Sequence, residues 1–300
     1  MPRVLEIAMQ TAVSRRGVAV VVIPGDVALR EAVEKRRRVH FPQPRPRVCP
    51  ADGEIVELAK LLNDSQKTTI LAGAGCAGAH QELIELAGKL KSPIVHALRG
   101  KEFVEYDNPF DVGMTGLLGF SSGYHAMMNC DTLLMLGTDF LYQQFYPEHA
   151  KVIQVDLRGE QIGRRTKVDL GLVGDVRTTL EELNPKILTK NDEGHLSKSL
   201  EHYSAARKGL DELAIGEPGR KPIHPQYVTR ALDEAASHDA IFSCDVGTPT
   251  IWAARYLRMN GKRRGTGYPR PRRHPTQRCR RPTRRAGGGA SDVGRVKTAQ

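Results

Sequence analysis

The sequence predicts an α/β protein organised around a doubly wound parallel sheet, and three observations predict it. From Ala51 onward helical patterns alternate with short apolar runs, the runs are continuous in Val, Ile and Leu, and turn residues close them. A strand buried on both faces needs that continuous pattern, and helices between strands supply the cover.

The first elements stand outside this rhythm. "VLEIAMQTAVSRRG" has apolar residues at helical spacing and a terminal glycine, and "VAVVVIPGDV" is an apolar run of strand length closed by Pro24 and Gly25. We expect one helix and one buried strand, the end of an α/β domain spanning residues 1–35. "RRRVHFPQPRPRVCP" then carries four prolines and an arginine run, which predicts a linker over 36–50.

The central unit follows in order. Helix "DGEIVELAKLLNDS" precedes strand "KTTILAGAG", helix "AHQELIELAGKLK" and strand "SPIVHAL". After a long loop come strands "DTLLMLGTD", "AKVIQVDL" and "VDLGLVGD", closed by helix "DVRTTLEELNP". These units define a domain over 51–190 with five predicted strands. "LSKSLEHYSAARKGLDELA" adds a helix, and the breaker-rich "IGEPGRKPIHP" marks a boundary, so 191–222 reads as helix and linker. Residues 223–264 again read helix, strand, turn, helix, the opening of a further α/β domain.

Composition limits the function classes. Hydrophobic residues make up 40% and charged residues 26% of 300, as in a soluble globular chain. Of the formal charge of +11, nine units reside in the tail, because residues 265–300 hold ten Arg or Lys and one acid, and the rest of the chain is nearly neutral. That tail is rich in Arg, Pro and Gly and is expected to be disordered. Nucleic-acid binding through it is an alternative weighed and disfavoured, since only Tyr268 offers an aromatic platform. Five separated cysteines indicate neither a disulfide framework nor a zinc site, which suits a reducing cytoplasm. "VAVVVI" is far shorter than the roughly 20 residues of a membrane span.

Several loops could carry chemistry. "AGAGCAGAH" places Gly73, Gly75 and Gly78 between a strand and a helix, a Rossmann-like position for a phosphate, although a merely tight turn explains the glycines too. "GTDFLYQQFY" follows a strand, where open sheets bind ligands. Asp156 ends a strand, placed either for a nucleotide ribose or to cap the helix near Arg158. His96, Arg99 and Lys101 are the polar members of "HALRGKEFVEYDNPFDVGMTGLLG"; Arg99 suits a diphosphate or a flavin edge, and surface ion pairing suits both cations. Cys76 and Cys130 read as structural.

Taken in order, "VVVIPGDVA", "AGAGCAGAH", "PIVHALRGKEFVEYDNPFDVGMTGLLGFSSG", "GTDF", "QVDL", "IHPQYVTRAL" and "CDVGTPTIWAARYLRMNGKRR" resemble the thiamine-diphosphate-dependent pyruvate oxidases, including the quinone-reducing pyruvate dehydrogenases. The resemblance covers roughly residues 3–264.

The resemblance implies three domains, binding in turn the aminopyrimidine of thiamine diphosphate, flavin adenine dinucleotide (FAD), and the diphosphate through Mg2+. It makes 51–190 the FAD-binding domain. Thr115, Gly116, Leu117 and Leu118 would lie along the flavin nucleotide, Thr138, Asp139, Phe140, Leu141 and Tyr142 would line it, and Asp156 would bind the adenosine ribose. Arg99, Gly73 and Gly75 are further placements. It implies pyruvate and a quinone as substrates, a homotetramer, and a peripheral place on the inner membrane. No family catalytic glutamate or GDG motif for the metal is found in the sequence. We therefore expect an enzyme fragment, inactive alone but able to bind FAD, with residues 265–300 read out of frame. An acetolactate-synthase-like decarboxylase is the alternative within the same superfamily.

Overall fold

The computed structural model describes residues 2–15, 17–31 and 47–266. The linker expected at 36–50 therefore lies outside the described residues except for its last four, and the tail does so from residue 267.

At the N-terminal end α1 (Pro2–Ser14) and the single turn α2 (Gly25–Ala28) flank the run expected to be a buried strand. No strand forms there, and Val18, Val20 and Val22 stand 91%, 81% and 84% exposed. A strand exists only by pairing, and no neighbour among the described residues offers it a ladder.

The central unit begins with α3 (Asp52–Asp64), whose Glu54 carboxylate accepts the Ala51 N–H at 2.7 Å. It continues through β1 (Thr68–Ala72), α4 (His80–Leu90), β2 (Ile94–His96), the short α5 (Lys101–Val104) and β3 (Asp111–Met114). After α6 (Ser121–Met128) come β4 (Thr132–Leu136), β5 (Lys151–Asp156), β6 (Leu170–Val173) and α7 (Val176–Leu183), the last capped by Asp175 accepting the Thr178 N–H. All six strands are parallel, in the order β3-β2-β1-β4-β5-β6. Five strands were expected; β3 is the sixth, an edge strand joined to β2 through a register shift between Ile94 and His96.

Successive residues of each strand feed opposite cores, as the pleat requires. Ile70, Ala72, Leu134, Leu136, Ile153 and Val155 pack with α3, α4 and α7, whereas Leu71, Leu133, Met135 and Val152 pack toward Ala126 and Met127 of α6. α8 (Gly194–Leu213) lies on the second face, against α6 and β3. Burial on both faces is the reason the strands read as unbroken apolar runs.

Past the breaker segment come α9 (Pro225–Ala235), β7 (Ile241–Ser243), α10 (Thr248–Tyr256) and β8 (Arg264–Thr266). Asp233, 2% exposed, ties this part together by gripping Arg258 and Arg263 at 2.6 and 2.7 Å. Gly265 and Thr266, expected to open the disordered tail, instead pair in β8 with Phe242 and Ser243. The Gly265 N–H also donates to Glu102 at 3.3 Å, so ordered chain runs two residues further than composition indicates.

Candidate functional site

A sheet in this order reverses direction between β1 and β4, and ligands bind outside the carboxyl ends of the strands at such a switch point. The expected site residues lie at that edge, Asp156 as the last residue of β5 and the others in the loops that follow the strands. What each loop does there differs.

The loop after β1 is closed rather than open. The N–H groups of Gly73 and Gly75 donate to the carbonyls of Leu136 and Gly137 at 3.0 and 2.9 Å, so neither is left to hold a phosphate. A Cβ on Gly75 would meet the Gly137 Cα at 2.6 Å. These glycines let two backbones touch, and the tight-turn explanation accounts for both.

The loops after β3 and β4 come together. Gly116 has a φ of +96°, and a Cβ there would meet the rings of Phe140 and Tyr142 at 3.1 Å. The turn is closed by Gly119 N–H to Gly116 carbonyl at 2.9 Å and Phe120 N–H to Met114 carbonyl at 2.7 Å. At its start Thr115 is buried, and its Oγ1 takes no hydrogen-bond partner among the described residues. Beside it Leu117 is 65% exposed, Leu141 on the neighbouring loop is 56% exposed, and Leu118 is half-buried. Thr138 is buried, and Asp139 is held by a bidentate pair to Arg165 at 2.8 and 3.1 Å, with Arg164 at 3.6 Å.

Asp156 ends β5 with one oxygen accepting the Arg158 N–H at 2.9 Å. Its other oxygen takes no hydrogen bond from the described residues, and burial raises its pKa above the usual carboxylate value. The local cap and a ligand contact are therefore compatible, because a carboxylate has acceptor sites for both. Arg99 is exposed on the turn Leu98–Gly100 after β2, on the same edge.

Behind the turn lies a buried polar cluster that pattern reasoning did not anticipate. Lys101, expected in a surface ion pair, is buried and paired with Glu105, because α5 tucks beneath the strand ends. His96 Nε2 stands 3.6 Å from Asp111 Oδ1, and Tyr203 is among the groups that act on the Asp111 carboxyl. Burial lowers the His96 pKa to about 4 and raises that of Asp111 to about 8, so both are favoured in the neutral form. Burial likewise raises the thiols of Cys76 and Cys130 to about 12, which fits structural cysteines.

The cluster makes stability depend on pH with a definite sign. Asp111 binds its proton more tightly when folded, so its contribution is full below about pH 4 and is lost as pH rises toward 8. His96 acts oppositely, costing stability as pH falls from 6.5 toward 4. The two offset each other below pH 6.5. Above it the Asp111 loss stands alone, on the order of 1 kcal/mol between pH 6.5 and 8. Urea unfolding at these two pH values is expected to show that loss, and Asp111→Asn is expected to flatten it; an equal slope in the variant would contradict the assignment.

Among the described residues no group of three or more His, Cys, Asp or Glu could hold a metal ion, and no helix is long and apolar enough to cross a membrane.

Residues 55–183, from α3 through α7, match the family model described as thiamine pyrophosphate enzyme, central domain. An uncharacterized 42.6 kDa protein in the isoamylase 3' region of Pseudomonas amyloderamosa is 61% identical over 224 residues, 74% of this chain and 57% of that protein. The putative thiamine pyrophosphate-containing protein YdaP of Bacillus subtilis (strain 168) is 36% identical over 264 residues, 87% of this chain and 45% of its own length. Acetolactate synthase of Mycobacterium bovis is 30% identical over 274 residues, 87% of this chain and 44% of its own. The chain spans about half the length of the curated relatives it matches.

Proposed function

Because residues 55–183 carry the thiamine pyrophosphate enzyme central domain, we propose that this sheet edge holds FAD within a thiamine-diphosphate-dependent enzyme acting on pyruvate. The observation that carries the reading is Thr115, a buried hydroxyl without a partner among the described residues, at the meeting of two loops. A buried polar atom left unsatisfied costs about 1–3 kcal/mol, which a ligand that bonds to it recovers.

The surroundings fit a flavin nucleotide in two further respects. The exposed Leu117 and Leu141 side chains offer apolar surface to a flat ring, and Asp156 offers a carboxylate oxygen to a ribose hydroxyl. Gly73 and Gly75 contribute closeness of loops rather than donors. Bound FAD would supply two-electron chemistry in an oxidase or a structural element in a synthase. This chain's residues bind and orient it.

Two reactions remain compatible with that site. The name of the Mycobacterium bovis relative supports acetolactate synthesis, and the stretch from His96 to Gly119 supports oxidative decarboxylation to acetate and CO2 with a quinone as acceptor. Thiamine diphosphate belongs to either reaction. The described residues present no ligand cluster for its Mg2+, and no step is assigned to them there. A homotetramer, and membrane association where a quinone is the acceptor, belong to the same proposal.

The test is the visible spectrum of the purified chain after mixing with FAD and gel filtration. Retained flavin bands are the expected result, weakened about tenfold in affinity by Asp156→Ala, the factor carried by 1.4 kcal/mol. Protein that emerges colourless overturns the reading.

A further inference from the structure

We propose that Arg255 of α10 is a positioning residue: it fixes the Thr115–Gly119 turn in the shape that receives the flavin nucleotide, and so ties cofactor affinity to the 225–266 segment. The inference rests on the FAD reading above. Its structural half is testable without flavin.

The Arg255 guanidinium addresses two successive carbonyls of that turn. Its Nε donates to Leu118 O at 3.1 Å and its Nη2 to Gly119 O at 3.4 Å. A planar fork can span two acceptors in this way; a lysine ammonium would hold the pair only as a point charge. Arg255 thus holds the C-terminal half of a turn whose first residue, Thr115, keeps a buried Oγ1 with no partner among the described residues.

Arg255 is itself anchored. Its carbonyl accepts Arg207 Nη1 at 2.6 Å, and Arg207 in turn pairs with Asp211 at 2.7 Å. The Arg207 guanidinium sits 5.9 Å from the Phe120 ring and 6.0 Å from the Tyr256 ring, and the Tyr256 hydroxyl donates to Leu210 O at 3.0 Å. Phe120 ends the turn and meets Tyr203 edge-on at 5.4 Å. The turn is thus held by side chains of α8 and α10, far from it in sequence.

Simple attachment of the C-terminal segment does not account for this contact. That attachment is supplied elsewhere: Met259 N–H donates to Glu105 at 2.9 Å, and Arg264 and Gly265 bind Glu102 at 3.4 and 3.3 Å. All three end on α5 or the residue after it. Arg255 alone among these contacts is aimed at the turn.

The experiment uses the full chain as wild type, Arg255→Ala, Arg255→Gln and Arg255→Lys, with two readouts: FAD affinity by flavin fluorescence titration, and hydrogen exchange at residues 116–120 without FAD. Arg255→Ala is expected to weaken FAD about tenfold, equivalent to 1.4 kcal/mol, and to speed exchange at the turn while β1 and β4 keep their protection. Gln, which keeps one donor nitrogen, and Lys are expected to fall between the two. Should the alanine variant lose structure globally, Gln and Lys carry the same comparison. Unchanged exchange at 116–120, or unchanged affinity in a wild type that binds flavin, overturns the inference. A wild type that binds no flavin overturns the FAD reading instead, and the exchange difference still decides whether Arg255 holds the turn.

Discussion

Glu105→Leu is expected to lower the unfolding free energy by about 3–5 kcal/mol, because it leaves a buried ammonium without its partner. Lys101 and Glu105 face each other one helical turn apart with side chains only 8% and 18% exposed. Neither water nor a second carboxylate can replace Glu105 cheaply there. His96 is held neutral by burial, and Asp111, also buried, favours its uncharged form at neutral pH. The other Glu105 oxygen receives the Met259 N–H at 2.9 Å, so the loss extends to the docking of the chain after α10. Adding Lys101→Met is expected to restore most of the loss, since replacing a buried ion pair with apolar groups of similar volume is often neutral. Urea unfolding of the single and double variants decides the point. A single variant within 1 kcal/mol of wild type would mean that water reaches Lys101, and the buried-pair account would fail.

That pair also shows where the sequence stops being readable. Lys and Glu four residues apart are visible in "KEFVE", but the chain that meets Glu105 includes Met259, more than a hundred residues away. Periodicity reports the local chain and not what will cover it. Five strands were legible for the same reason β3 was not. "TLLML" and "KVIQV" carry apolar residues to both cores, whereas "DVGM" contains a carboxyl and a glycine and becomes a strand only because β2 leaves it an edge. "VAVVVI" is the converse, a strong strand pattern with no described partner to pair with.

The site was legible in location more than in function. Strand ends carrying Gly, Thr and Asp marked the carboxyl edge of the sheet, and Thr115, Gly116, Leu117, Thr138, Phe140, Tyr142 and Asp156 all lie along it, their binding role being the proposal made above. Arg255 gave no signal, because its importance is a contact between α10 and a turn 136 residues earlier. The glycine loop gave a misleading one. Glycine there serves contact between backbones, and a sequence cannot distinguish that from approach to a phosphate.

Gly137→Ala tests this directly and is expected to cost about 2–5 kcal/mol, summing roughly 1–2 for a left-handed alanine and about 1–3 for overpacking. Gly137 has a φ of +56°, and an added Cβ would lie 2.4 Å from the Gly75 Cα. The obstacle is backbone, so no rotamer change relieves it. Gly137 also donates to Val155 O at 2.8 Å and accepts from Gly75 N–H at 2.9 Å, so any shift is passed to the ends of β1 and β5 together. Gly78 supplies the control: its φ is +89°, but nothing lies within 4 Å of an added Cβ. Gly78→Ala should therefore show only the conformational part, about 1–2 kcal/mol. The difference between the variants in urea unfolding isolates the contact between the loops. If Gly137→Ala costs no more than Gly78→Ala, the loops do not press together as described. If it costs more, displacement of Thr138 and its neighbours from the Thr115 turn should appear in the same protein as weaker retention of FAD.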